Sequence, residues 1–219
     1  MNNEINALMN NKLVRAAAAR WSGEGKIELL DQVANYVYQF QSQGHWRILR
    51  ISHHSHRSEE QISAELDWVN FLYDYRVPVA RPCLSINQRF TEVFPVRDAY
   101  FSAVAFEFAP GQLIENADPS EWSPNLFQSL GGILGKMHSA TKAYHPQPLK
   151  EKRPHWYEDD LIRNKRQYLP PDQMAVADEL DEIIAQFNQL PASREDYGLV
   201  HNDVNPTNFH VQQGRITLF

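Results

Sequence analysis

The octapeptide His201-Asn202-Asp203-Val204-Asn205-Pro206-Thr207-Asn208 constrains this chain more than any other segment. An apolar, strand-like Leu199-Val200 leads into it, and two short strands around Gln212-Gln213-Gly214 follow it. The glycine in that second group suits the turn of a hairpin. An aspartate and an asparagine five positions apart can work on the same atoms only if their loop is held rigidly. The flanking sequence must therefore supply strands and helices as a scaffold. The alternative is a polar turn whose Asp and Asn merely cap backbone groups.

The first half of the chain reads as strands plus one helix, and the second half mainly as helices. Residues 34–40 (ANYVYQF) are rich in β-branched and aromatic side chains, Gln41-Ser42-Gln43-Gly44 supplies a turn, and residues 45–52 alternate with Trp46, Ile48 and Arg50 on one face. Together these predict a β-hairpin. Ser58 and Gln61 then form a capping-box pattern, with Glu59 and Glu60 in the first helical turn. Ile62, Leu66, Val69 and Tyr73 follow on one helix face, and Pro78 lies beyond its end. Glu65 shares that apolar stripe and needs a cation, because an unpaired buried charge is very costly. Strands are expected near 89–95 and 100–108, the second closed by Pro110-Gly111. A helix near 124–140 would bury Leu126, Leu130, Ile133, Leu134 and Met137, with His138 at its end. Residues 157–189 are polar and helical, broken at Leu169-Pro170-Pro171. The first 21 residues can form an amphipathic helix. The pattern is α+β.

At 219 residues, 42% hydrophobic and 22% charged, the chain can bury a substantial core as one large domain or two small ones. A net charge of −6 argues against a nucleic-acid partner. No stretch approaches the roughly 20 apolar residues of a membrane span, so no membrane partner is expected. The one cysteine, Cys83, cannot form an intrachain disulfide and reads as a packing residue in a protein of the reducing cytoplasm. His53, His54 and His56 suggest a metal, but lack an i, i+4 pair or a cysteine; they read as a polar loop between strand and helix.

The His-x-Asp sequence with Asn five positions after the Asp has the spacing of kinase catalytic loops. Other residues follow in matching order: Arg50 on a strand (Leu49-Arg50-Ile51), Glu65 on the next helix, the strand Phe106-Glu107-Phe108-Ala109-Pro110-Gly111, and the helix Leu130–His138. On these residues the chain, over roughly 25–219, resembles the aminoglycoside phosphotransferase-like enzymes, which include choline kinases and type II homoserine kinases. The resemblance implies a two-lobed protein-kinase-like fold. An N-terminal lobe, 1–108, would hold an antiparallel sheet with one helix. A partial, mostly helical C-terminal lobe, 109–219, would carry the loop at 201–208.

The resemblance also implies transfer of the γ-phosphate of ATP or GTP to a hydroxyl of a small molecule, with Mg²⁺. Asp203 would orient or deprotonate the acceptor hydroxyl, and Asn208 would hold the metal. Arg50, fixed by Glu65, would bind phosphate oxygens, and the backbone of Glu107, Phe108 and Ala109 would hold the base. Asn205 stands where Ser/Thr protein kinases have lysine, and the stretch from Glu107 to Asp203 is long; both favour a small acceptor over a protein. His201 would support the loop. Trp156, Tyr157, Glu158, Asp159 and Asp160 read equally well as an acceptor pocket for a cationic substrate and as a solvated acidic helix start.

Three features depart from the family pattern. The phosphate-binding cation is an arginine where most kinases have lysine. Residues 29–40 contain no glycine, so Asn35 and the backbone of 31–35 would have to cover the phosphates. The family's second metal-binding residue, an aspartate after the Ile-Thr-Leu-Phe strand, would follow Phe219, which implies a truncated C-terminal lobe. These departures feed a rival expectation, a kinase-shaped nucleotide-binding or regulatory protein without turnover.

Overall fold

The computed structural model describes residues 3–146 and 153–219. The chain divides into two compact units, Met1–Glu151 with Val200–Phe219, and Lys152–Leu199. In the first unit, helices α1 (Asn3–Leu8) and α2 (Asn11–Ala19) precede strands β1 (Gly23–Asp31), β2 (Tyr36–Ser42) and β3 (His45–His53). Helix α3 (Glu59–Asp74), strands β4 (Pro82–Cys83), β5 (Glu92–Val96), β6 (Ala99–Glu107) and β7 (Gln112–Leu113), and helix α4 (Pro124–Ala143) follow. The second unit holds α5 (Asp160–Arg163), α6 (Lys165–Tyr168) and α7 (Met174–Phe187). The chain then returns to the first unit for β8 (Phe209–Gln212) and β9 (Arg215–Leu218).

Six strands form an antiparallel sheet in the order β1-β2-β3-β6-β4, with β5 also on β6. The hairpin expected at 34–52 is β2–β3, closed between Ser42 and His45. Strand β1, which the sequence did not announce, extends it: GEGKIELLD has weak alternation and is paired with β2 through two register shifts. Strand alternation splits the core. Leu49, Ile51, Phe101, Ala103 and Ala105 pack with Leu13, Val14, Ala17 and Ala18 of α2 on one face. Val104 packs with Ile62 and Leu66 of α3 on the other. Arg50, between Leu49 and Ile51, therefore points to the α3 side.

Helix α3 begins as expected, with both bonds of the Ser58–Gln61 capping box present. Its buried face is shifted from the predicted stripe: Ile62 and Leu66 are buried with Ala64, Trp68 and Leu72, whereas Val69 and Tyr73 are half-buried, because the helix packs on α4 as well as on the sheet. Helix α4 runs on to Ala143, so His138 lies exposed within it rather than at its end. Leu199-Val200 forms no strand. In the second unit, Arg166 bonds Asp178 and Asp181 and Lys165 pairs with Asp181, linking α6 to α7. Glu158 caps the His155 backbone, Asp159 caps α5, and Asp160 bonds Tyr168 and Asn164. All three carboxylates thus serve the unit's own structure. No described helix is long and apolar enough to cross a membrane.

The three-histidine loop forms no metal cluster among the described residues. His53, at the end of β3, is 8% exposed and packs edge-on against Phe101 at 5.0 Å. Burial lowers its pKa below the ordinary 6.5, with smaller contributions from His54 and His56. The folded state therefore holds this proton less readily than the unfolded chain. The neutral-His53 contribution to stability is present above pH 6.5 and is lost as pH falls through the lowered value. Melting temperatures measured from pH 7.5 to 5 should fall, and the fall should be shallower in His53→Leu. Parallel curves would exclude His53 as a source.

Candidate active site

The loop at 201–208 is held at its far end by the β8–β9 hairpin. Phe209, Val211, Ile216 and Leu218 of that hairpin are buried. Strand β7 pairs with β8 (Gln112 with Val211, Leu113 with His210), which ties the hairpin to the chain leaving β6. On the other side, Leu218 donates to the Pro78 carbonyl at 2.9 Å and accepts from the Ala80 amide at 2.8 Å. Phe219 N donates to the Asn208 carbonyl at 3.1 Å, so the loop ends on a fixed backbone.

Within the loop, Asn202 adopts a left-handed conformation (φ +63°), which asparagine tolerates better than most residues. The turn it makes lets Asp203 N reach the His201 carbonyl at 2.9 Å, with His201 Nδ1 at 3.4 Å. The Asp203 carboxylate is gripped on both oxygens. Asn205 Nδ2 donates to Oδ1 at 2.8 Å, and Asn208 Nδ2 donates to Oδ2 at 2.8 Å. Asn208 Nδ2 also reaches the Asp203 carbonyl at 2.8 Å. Asn205 Oδ1 in turn accepts from Thr207 N at 2.8 Å and Thr207 Oγ1 at 2.6 Å. Asp203 itself is exposed.

The predicted cation and its partner also meet. Arg50 Nη2 lies 2.7 Å from Glu65 Oε1, with the two side chains 22% and 21% exposed. The guanidinium stacks over the Phe106 ring at 5.2 Å, and its Nε is buried with no hydrogen-bond partner among the described residues. Just before β2, Asn35 Oδ1 accepts from Ser52 Oγ at 2.6 Å. Ser52 follows Arg50 by two positions, so Asn35 is anchored to the Arg50 face of the sheet.

Of the three residues predicted to hold a base, Glu107 ends β6, and Phe108 and Ala109 follow it. Glu107 N donates to the Arg81 carbonyl at 2.8 Å. The Ala109 carbonyl lies 2.8 Å from His210 Nδ1, and the His210 ring also meets Phe108 and Phe219 at 5.4 and 5.0 Å. His210 thus bolts the strand end at Ala109 to the strand that begins after Asn208. Neither His210 nor Ser52 was singled out from the sequence. Their only signal was spacing, two residues after Asn208 and two after Arg50. Cys83, in the adjacent β4, has its thiol pKa pushed up by burial, as fits a packing residue.

The donor set fits a metal-bound nucleotide. A buried arginine Nε without a partner is a donor that suits an anion. The Asn208 amide has its nitrogen committed to Asp203, so its oxygen is turned away from the carboxylate and is available to a hard cation.

The family model described as "Phosphotransferase enzyme family" matches residues 27–219. Amicoumacin kinase of Bacillus subtilis (strain 168) is 34% identical over 208 residues, which are 94% of this chain and 61% of that protein. A solved amicoumacin kinase, hAmiN in complex with AMP-PNP, Ca²⁺ and Ami, superposes with a TM-score of 0.90 at 33% identity, covering 100% of this chain and 66% of that one. A microcompartment-associated aminopropanol kinase gives 0.73 at 22% identity, covering 95% of this chain and 68% of that one, a likeness of fold alone. The chain thus spans about three fifths of the length of the curated relative.

Proposed function

The chain belongs to the phosphotransferase enzyme family, and from that membership we propose that it forms the nucleotide-binding and catalytic-loop part of a small-molecule kinase. The single observation that carries this reading is the Asp203 carboxylate held on both oxygens, with Asn208 as one of its two holders. A turn whose Asp and Asn only capped backbone would have no need to orient an exposed carboxylate. The lobes would divide at 108/109.

The residues act as follows. Asp203 accepts the proton of an acceptor hydroxyl as its oxygen bonds to the γ-phosphorus of ATP. The bond from that phosphorus to the β–γ bridging oxygen breaks, and ADP leaves. Arg50, braced by Glu65, binds phosphate oxygens, while Asn35 lies on the same face in place of a glycine-rich loop. Asn208 Oδ1 would hold Mg²⁺, which supplies charge neutralisation to the phosphates. The backbone of Glu107, Phe108 and Ala109 receives the base. The acceptor is a small molecule bearing a hydroxyl, by analogy with the amicoumacin kinases. A reducing cytoplasmic setting suits the single cysteine.

The test is Mg²⁺-dependent transfer of label from [γ-³²P]ATP to a panel holding amicoumacin, aminopropanol, aminoglycosides, choline and homoserine. Labelled product from at least one acceptor is expected. Nucleotide binding with no transfer to any of them would favour the rival, a kinase-shaped binding or regulatory protein.

A further inference from the structure

Helix α3 is hydrogen-bonded to α4 through Asp67, on the side away from the phosphate-binding pair, and through Trp68, on the flank between. Tyr144, the residue that ends α4, is 6% exposed and donates its hydroxyl to Asp67 Oδ2 at 2.5 Å. The indole of Trp68, 8% exposed, donates Nε1 to Thr141 Oγ1 at 3.0 Å. At the far end of α3, Lys136 Nζ donates to the Arg76 carbonyl at 2.6 Å. The Phe71 ring packs on Tyr144 at 5.1 Å. Three hydrogen bonds and a ring contact therefore run along the antiparallel pair. Asp67 follows Glu65 by two residues, which places it about 200° around the helix. A helix held on one side by α4 thus presents Glu65 to Arg50 on the other. Burial, with the Asp67 hydrogen bond adding to it, raises the Tyr144 pKa, which keeps the hydroxyl protonated as a donor.

We propose that Tyr144 and Asp67 are positioning residues for the Arg50–Glu65 pair, so that nucleotide affinity depends on a hydrogen bond made behind α3. The geometry has a consequence for control. In protein kinases the equivalent ion pair forms and breaks as its helix shifts. Here α4 supplies the clamp from within the chain, and α3 needs no outside partner to bring Glu65 to Arg50. The inference rests on the reading of Arg50 and Glu65 as phosphate-binding residues.

The experiment measures Mg²⁺–AMP-PNP affinity by calorimetry on the full chain and on Glu65→Gln, Tyr144→Phe and the double variant. Glu65→Gln should weaken binding about tenfold or more. Tyr144→Phe, which keeps the ring, should weaken it about three- to tenfold. Because both act through one ion pair, the double variant should bind within about twofold of Glu65→Gln alone. Unchanged affinity in Tyr144→Phe, or additive losses in the double variant, overturns the clamp while leaving the site reading intact. Wild-type affinity in Glu65→Gln, or no binding by the unaltered chain, overturns the site reading and the clamp with it. Thr141→Val, which removes the Trp68 acceptor at nearly constant volume, carries the same expectation should Tyr144→Phe fail to fold.

Discussion

Replacing Asp203 with asparagine is expected to slow phosphoryl transfer by about 10²- to 10⁴-fold, the range for losing a positioned proton acceptor. The substitution preserves shape and removes charge. It also places an amide where Asn205 Nδ2 and Asn208 Nδ2 now donate at 2.8 Å each. At least one of those contacts becomes donor against donor, so the loop loses its grip on the side chain as well as its base. Nucleotide binding should change far less, within about fivefold, because the Arg50–Glu65 pair and the strand end at 107–109 are untouched. Initial rates with the best acceptor, together with Mg²⁺–AMP-PNP affinity, separate the two effects. A rate within tenfold of wild type would remove Asp203 from the chemistry and leave substrate positioning as the source of catalysis.

The largest expected effect on stability comes from Gly111→Ala. Gly111 has φ +90°, and a Cβ built on it would lie 2.2 Å from the Val211 carbonyl oxygen and 2.6 Å from its carbon. The left-handed backbone costs an L-residue about 1–2 kcal/mol, and overpacking adds about 1–3 kcal/mol. The obstacle is backbone, which cannot rotate aside as a side chain can. At about 2–4 °C per kcal/mol for a chain of this size, these costs together should lower the melting temperature by roughly 4–20 °C. Gly214→Ala is the control: φ is +73°, but a Cβ there meets nothing within 4 Å. It should show only the conformational part, about 1–2 kcal/mol. Equal losses in the two variants would mean that the β7–β8 junction yields without cost. Since that junction carries the loop to the strand end at Ala109, Gly111→Ala should weaken nucleotide binding too, whereas Gly214→Ala should not.

The parts of this protein that are local in sequence were legible from it. The capping box at Ser58–Gln61, the hairpin turn at Gln43-Gly44 and the loop spacing from Asp203 to Asn208 each rest on bonds between residues at most five apart. Backbone geometry brings such residues together whatever the rest of the chain does. The Arg50–Glu65 pair was legible for a different reason: a carboxylate on an apolar stripe demands a cation, and the family order supplied one.

What tertiary structure alone decided involves partners far apart in the chain. Strand β1 pairs because β2 offers an edge, although its own alternation is weak. His210 reaches Ala109 across 101 positions, and Tyr144 reaches Asp67 across 77. Gly111 needs to be glycine because Val211 lies against it. Each of these contacts depends on two segments meeting with a particular register and orientation. A single sequence records the residues at both ends of such a contact, but not the packing that brings them within reach.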